Sequence, residues 1–296
     1  MDRELIAVLD ACEERIKQGS TTFHRAFSFL PSPRKEAVYV IYAFCRLIDN
    51  AVDEPENSEF TLVELEDHFT YLEQAQGHFI WPALRWLFQT YPVSKEPFYK
   101  QMEGQRLDYE LTHYDTMEQL ETYCYLVAGT VGEMLIPVLH PQPDERLREA
   151  GVWLGKAMQI VNVVRDVGED QGRGRRYIPL ELLHKHGYSE QDFAEGRITG
   201  AWTALVSELE ATARGWFELG LLELDSYPTA SGFCMELAAR MYAAILDDAA
   251  SHSYDVFRRR AYVSLWTKTG ILRELVRKHR FLLPDNSNGD SVAVIS

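Results

Sequence analysis

The amino-acid sequence predicts an all-α protein. Apolar residues recur at helical spacing along nearly the whole chain, strand-type alternation is almost absent, and the breaks between periodic stretches carry helix-capping residues, prolines and glycines. The 296 residues are 46% apolar, enough for a sizeable core, and no Gly/Ser/Pro-rich linker divides them. One domain is therefore expected over residues 1–284. A short polar tail, Asp285 to Ser296, is expected to be disordered.

Local signals set the elements. Ser32 as N-cap and Pro33 in the first turn open a helix that runs through Ala37, Val38, Ile41, Tyr42 and Cys45 to Val52, and Pro55 stops it. Thr61 and Glu64 form a capping box for the next helix. Helical periodicity then covers residues 80–91, 95–113, 116–139, 144–168, 200–223, 230–250 and 254–282. Gly172 and Gly174 interrupt the chain, and Arg173-Gly174-Arg175-Arg176-Tyr177-Ile178-Pro179 reads as a basic loop. The stretch 116–139 contains Ala128-Gly129-Thr130-Val131-Gly132. A glycine inside a helix costs about 1 kcal/mol relative to alanine. Two of them point to close approach of another helix or of a bulky ligand. There is no internal repeat.

Composition narrows the function classes. A formal charge of −15 argues against a nucleic-acid partner and against general attraction to anionic lipid, a local basic patch aside. Cys12, Cys45, Cys124 and Cys234 form no CxxC pair and read as buried thiols of a reducing compartment. His184 and His186 lie in a polar turn, and no HExxH occurs. The start, Met1-Asp2-Arg3-Glu4, is too polar for a signal peptide, and no run approaches the ~18 apolar residues of a membrane span. The expectation is a cytoplasmic protein with at most peripheral membrane contact.

Two acidic clusters carry the chemistry: Asp49-Asn50-Ala51-Val52-Asp53, and Asn162-Val163-Val164-Arg165-Asp166-Val167-Gly168-Glu169-Asp170. Both sit in apolar stretches, where carboxylates are costly to bury unless something cationic meets them. Tyr42, Arg46, Asp49 and Asp53 follow i, i+4, i+7, i+11 and form one helical stripe. Gln159, Asn162, Asp166 and Asp170 repeat that logic, with Arg165 beside them. Two such helices face to face make an oxygen-lined cleft suited to Mg²⁺, which completes its shell with water and substrate phosphates. A diphosphate leaving group needs metal ions to neutralise developing charge and arginine to grip its oxygens. A di-iron helical bundle would instead show glutamates and ExxH motifs. A non-catalytic helical scaffold would not need arginine on both stripes.

At this point the chain resembles the squalene/phytoene synthase family. The likeness rests on Ser20-Thr21-Thr22-Phe23, Ala43-Phe44-Cys45-Arg46-Leu47-Ile48-Asp49 with Asp53, Tyr123 to Gly132, Gln159 to Asp166, and Gly174 to Pro179, and spans roughly residues 18 to 275. Within the family it looks most similar to bacterial dehydrosqualene synthases, with phytoene synthases close behind. The resemblance implies a single-domain isoprenoid synthase fold around a central cavity. It implies Mg²⁺-dependent head-to-head joining of two prenyl diphosphates, farnesyl or geranylgeranyl, through a presqualene-type cyclopropyl intermediate. No recognisable nicotinamide site occurs, so proton loss to dehydrosqualene or phytoene is expected rather than NADPH-dependent reduction to squalene. Membrane contact would serve product release.

Carried onto this chain, the resemblance implies Asp49, Asp53, Asn162 and Asp166 as metal ligands, with Asp170 at an outer position. It places Ser20, Thr21, Thr22, Tyr42, Arg46, Gln159 and Arg165 near substrate diphosphates. Phe23, Tyr123, Tyr242 and Arg260 are further substrate-binding candidates. Asp49, Asp53, Arg46, Asp166 and Arg165 are the expected catalytic set. Two positions depart from the family pattern: Asn50 stands where many members have a second aspartate, and Thr21 where lysine is common. Phe27 and Tyr39 match positions along the tunnel for the prenyl tail, and the bulk of Phe27 favours the shorter, farnesyl chain. Duller readings stand beside these: Arg175 and Arg176 pairing only with Glu169 and Asp170, and Arg260 as part of a solvated Arg258-Arg259-Arg260 face.

Overall fold

Helix α1 (Arg3–Gly19) buries Leu9, Cys12 and Ile16, an i, i+3, i+7 stripe. It opens a computed structural model that describes residues 3–279. The expected tail at 285–296 lies outside the described residues. A one-residue joint, Ser20, caps the short α2 (Thr21–Phe27), its hydroxyl accepting the Phe23 N–H at 3.2 Å. Helix α3 (Arg34–Asp53) buries residues on almost every side, as a central helix must. Its start departs from expectation. Pro33, not Ser32, occupies the N-cap, and having no side-chain acceptor it makes no cap hydrogen bond.

Next come α4 (Leu62–Thr70), α5 (Ile80–Thr90) and α6 (Glu96–Glu110). Thr61 and Glu64 form the expected capping box of α4. Thr116 with Gln119 makes another at α7 (Met117–Cys124). Helix α6 stops short of residue 113 because Leu111 is extended and the chain then bonds elsewhere: the Arg176 N–H donates to the Thr112 carbonyl at 2.7 Å. Through a π-helical turn, Tyr125–Gly129, α7 continues into α8 (Thr130–Leu139). This stretch, Met117–Leu139, is long and apolar enough to cross a membrane by length and composition, contrary to the reading of the sequence. Most of its apolar window, 67%, is buried inside the protein, as befits a core helix.

Asp144 caps α9 (Glu145–Arg165), which lies against α8. The helical glycines explain the fit. A Cβ on Gly132 would collide with the Gly151 carbonyl, and one on Gly155 with the Ala128 carbonyl. The expected helix 144–168 breaks at Asp166 (φ −103°, ψ 11°) before α10 (Val167–Gly172) begins. After the basic loop come α11 (Leu180–His186) and α12 (Glu190–Ala194). His184 and His186 thus close a helix rather than sit in a turn. Two long helices, α13 (Gly200–Leu221) and α14 (Thr229–Ser251), complete the wall around α9 and α2. The expected helix 254–282 begins only at α15 (Leu265–Lys278). Positive φ at Ser253 and Tyr254 turns the chain there, and the Asp248 carboxylate holds the segment by accepting the Tyr262 N–H (3.0 Å) and pairing with Arg259. Residues 280–282 lie outside the described range. Among the described residues there is one isolated bridge, His113 with Arg176, and no strand.

Candidate active site

The helices enclose a cavity of about 840 Å³. One end is polar. Helix α3 lines it with Tyr42, Arg46, Asp49 and Asp53, and α9 with α10 lines it with Gln159, Asn162, Arg165, Asp166 and Asp170. Ser20, Thr21, Thr22 and Phe23 border it from the start of α2, Tyr123 from α7, Tyr242 from α14, and Arg260 from the segment before α15. Every metal-ligand, catalytic and substrate-binding candidate from the sequence is thus brought to one cavity. Gly19 lets the Tyr42 hydroxyl approach, since a Cβ there would collide with it. Asn50 does not line the cavity, so its missing charge changes nothing there directly.

Within each acidic stripe the carboxylates sit in different electrostatic settings. Asp49 accepts a hydrogen bond from Gln105 Nε2 at 2.7 Å. Burial pushes its carboxyl up to about 7; Arg46 opposes this, and Asp53 and Asp108 add to it. Asp53 is bridged by Arg175 Nη1 at 2.6 Å and Arg173 at 3.4 Å. On the other side, Asp166 accepts from Arg165 Nε at 2.8 Å and Arg260 Nε at 2.7 Å. Burial works against its ionisation, yet those two guanidiniums hold it below the usual carboxylate range. Asp170 is again pushed up to about 7 by burial and then by Asp166, with Arg173 opposing. The Asn162 amide donates to Gln159 Oε1 at 3.1 Å, while Asn162 Oδ1 is buried without a hydrogen-bond partner.

The duller readings of the arginines do not hold. Arg175 reaches across to Asp53 instead of pairing with Glu169 or Asp170 through its side chain, and Arg176 approaches Glu190 at 3.7 Å. The segment after α10 folds back over the cavity, which places these groups far from where sequence proximity puts them. Arg173 does reach Glu169, at 3.4 Å. The arginine run is not simply solvated: Arg258 pairs with Asp255, Arg259 with Asp248 and Arg260 with Asp166. Tyr39 is buried beside His24 (ring centroids 5.5 Å apart) and does not line the cavity. The facing acidic helices therefore make an oxygen-lined cleft already bridged by arginines. Among the described residues no three His, Cys, Asp or Glu side chains stand close enough to hold an ion.

Helix α6 contributes residues that sequence reasoning missed. Gln101, Gln105 and Asp108 line the cavity at i, i+4, i+7, the spacing of the stripe on α3, and that repeat was the available signal. Asp108 is buried and accepts from the hydroxyls of Tyr177 (2.9 Å) and Tyr123 (3.1 Å). Burial pushes it up to about 6, against Arg175. Lys268 on α15 places its Nζ 3.4 Å from Thr21 Oγ1, bringing an ammonium to the start of α2 at the cavity edge.

The other end of the cavity is apolar. Phe23, Phe27, Val38, Ile41 and Met235 line one side, and Val131, Leu135 and Leu154 another. Phe23 stacks on Phe27 (centroids 6.0 Å apart) and meets Tyr242 at 5.0 Å.

An all-helical shell around a cavity with a charged head and an apolar base defines a synthase of the isoprenoid type. The chain belongs to the squalene/phytoene synthase family, whose model matches residues 16–267. It is 34% identical to a phytoene synthase from Arthrospira platensis over 88% of this chain and 89% of that protein. It is 36% identical to the chloroplastic phytoene synthase 2 of Zea mays, over 86% of this chain but only 65% of the plant protein's length. A crystal structure of a dehydrosqualene synthase in complex with ligand superposes with a TM-score of 0.88 at 31% identity, covering 94% of this chain and 99% of that one. A squalene synthase from Alicyclobacillus acidocaldarius, at 23% identity and a TM-score of 0.77 over 86% of this chain and 97% of that one, shares the fold. The family's members are prenyltransferase-type enzymes that condense prenyl diphosphates head to head.

Proposed function

We propose that this protein joins two farnesyl diphosphates head to head and releases dehydrosqualene. The observation that carries the chain length is the stack of Phe27 on Phe23, with Tyr242 beside it, within the apolar part of the cavity. A bulky ring there limits the space for a longer tail.

Asp49, Asp53, Asn162, Asp166 and Asp170 are the residues that would hold Mg²⁺. The fit rests on the donor set, carboxylates with one amide, and on the unpartnered buried oxygen of Asn162. When bound, Mg²⁺ neutralises charge on a departing diphosphate. The protein's own part begins with Arg46, Arg165 and Arg260, which grip diphosphate oxygens in planar forks, while Ser20, Thr21, Thr22, Tyr42 and Gln159 donate hydrogen bonds. The C1–O bond of one substrate breaks with the electron pair leaving on diphosphate. The double bond of the second substrate attacks the allylic cation, and a proton is lost to close the cyclopropane. After the second C–O bond breaks, rearrangement and loss of another proton give the linear polyene. Apolar walls keep water from the cations. Tyr123, fixed on Asp108, orients the polar edge of the chamber.

A second reading, condensation of geranylgeranyl diphosphate to phytoene, is favoured by the names of the similar curated proteins, several of them phytoene synthases. Separate incubations with the two diphosphates, with and without NADPH, decide between them. The proposal expects higher kcat/KM on farnesyl diphosphate and a product that NADPH leaves unchanged. Phe27→Ala should raise the relative use of the longer substrate. Higher wild-type kcat/KM on geranylgeranyl diphosphate would establish the second reading, and a switch to squalene with NADPH would contradict both.

A further inference from the structure

Asp53 and Asp108 share one guanidinium. Arg175 places Nη1 2.6 Å from Asp53 Oδ1 and 3.9 Å from Asp108 Oδ2. The two carboxylates are unequal. Asp53, on α3, has 31% of its side chain exposed, whereas Asp108, on α6, has 3%. Among the described residues, Asp108 meets only the hydroxyls of Tyr177 and Tyr123 within hydrogen-bond distance. A buried carboxylate is costly unless a cation is paired with it. Yet the guanidinium stands nearer the wetter of the two. All five of these side chains line the cavity.

The backbone around Arg175 is pinned. Its N–H donates to the Asp170 carbonyl at 2.9 Å, the Arg176 N–H donates to the Thr112 carbonyl at 2.7 Å, and the Tyr114 N–H donates to the Arg176 carbonyl at 3.3 Å. The freedom to move therefore lies in the Arg175 side chain. Closing its gap to Asp108 down to a charge-assisted hydrogen bond takes a movement of about 1 Å. Occupancy of Asp53 decides whether that happens. Both Asp53 oxygens face guanidinium groups, Oδ1 that of Arg175 and Oδ2 that of Arg173 at 3.4 Å. A divalent cation on those oxygens would stand against a like charge, so Arg175 must yield its place.

We propose that Arg175 is a positioning residue with two stations: it holds the place of a divalent cation at Asp53 and moves onto Asp108 when that cation binds. The carboxylate that fixes Tyr123 and Tyr177 is then fully paired only while metal is present. Those two rings stack with centroids 5.0 Å apart and border the same cavity, so metal at one wall sets the charge of another. This inference rests on the reading of Asp53 as a metal ligand.

The test is isothermal titration calorimetry of the full chain with Mn²⁺ and inorganic diphosphate, without prenyl substrate. Asp108→Asn removes the second station and should weaken Mn²⁺ binding by about fivefold or more, since a displaced Arg175 then has no carboxylate to meet. Arg175→Gln removes the competitor and should tighten binding by a similar factor. In the Arg175→Gln background, Asp108→Asn should change the affinity by less than about twofold. In an Arg173→Gln background, which also takes a cation from Asp53 but leaves Arg175, the full effect of Asp108→Asn should return. Arg175→Met keeps the packing of the stem and carries the same expectation should the glutamine variant not fold. An Asp108→Asn effect of equal size in every background would reduce these changes to general electrostatics and overturn the proposal. Asp53→Asn separates the two readings. If it abolishes Mn²⁺ binding while Arg175→Gln fails to tighten it, the metal assignment stands and the two-station arginine falls. If Mn²⁺ binding is unchanged in Asp53→Asn, both fall.

Discussion

The acidic stripe on α3 and the one on α9 and α10 share a spacing in sequence and differ in structure. Asp49 and Asp53 lie on an unbroken helix, and Asp49 has a neutral partner, Gln105. The helix carrying Asn162 and Asp166 breaks at Asp166, where Arg165 and Arg260 clamp the carboxylate. Each stripe thus holds one carboxylate that burial pushes up, Asp49 and Asp170, and one that arginines match, Asp53 and Asp166; the stripes differ in where along the helix the match falls. The shared i, i+4 spacing of the carboxylates is local; much of the charge each one meets comes from segments distant in the chain, Arg175 for Asp53 and Arg260 for Asp166.

The largest expected effect breaks both stripes. Asp49→Ala and Asp166→Ala should each lower kcat by about 10²-fold or more, because each removes charge stabilisation realised as the C–O bond breaks. Steady-state kinetics should also separate them. Asp166→Ala removes the carboxylate that competes with substrate diphosphate for Arg165 and Arg260, so it should lower KM. Asp49→Ala frees no arginine clamp and should leave KM unchanged or raised. Matching kinetic changes in the two variants would erase the distinction.

A smaller loss is expected from Arg46→Lys and Arg165→Lys. Lysine keeps the charge but loses the planar fork, so neither variant should recover wild-type kcat/KM. The Arg165 change should cost more, since Arg165 also braces Asp166 while Arg46 stands 3.9 Å from Glu54. Unchanged kinetics in Arg46→Lys would rule out a bidentate role there.

The smallest effect is on stability. Asp49 in the fold titrates near 7, above the ~3.9 of an unfolded aspartate. Ionising it destabilises the metal-free fold, a cost that is full above pH 7 and shrinks as pH falls from 7 to about 3.9. Asp166 is shifted the other way, so its contribution is present above pH ~4 and is lost as pH falls through its folded value. At pH 8 with chelator, Asp49→Asn should therefore raise the melting temperature and Asp166→Asn should lower it. Shifts of the same sign would contradict the assigned settings.

Much of this was open to sequence reasoning. Helical periodicity and caps such as Thr61 with Glu64 locate most helices, because those signals are local. The cavity-lining stripes on α3 and on α9 with α10 follow from spacing alone. What escaped depends on distant segments. Arg175 reads as a partner of its sequence neighbours, yet the loop after α10 delivers it to Asp53, 122 residues away. Lys268 meets Thr21 across 247 residues. The late start of α15 follows from the turn at Ser253 and Tyr254, where neither residue is glycine and no local signal marks positive φ. Asp108 escaped because one carboxylate among glutamines carries no charge pattern.

The central claim is that two differently set acidic helices act together on one diphosphate. Mg²⁺ titration of diphosphate release from farnesyl diphosphate tests it most directly, run on wild type, Asp49→Asn, Asp166→Asn and the double variant. The account predicts release that requires Mg²⁺, falls by about 10²-fold or more in either single variant, and falls little further in the double, as for residues that act as a unit. Release that proceeds without Mg²⁺, or single losses that multiply fully in the double variant, would contradict it.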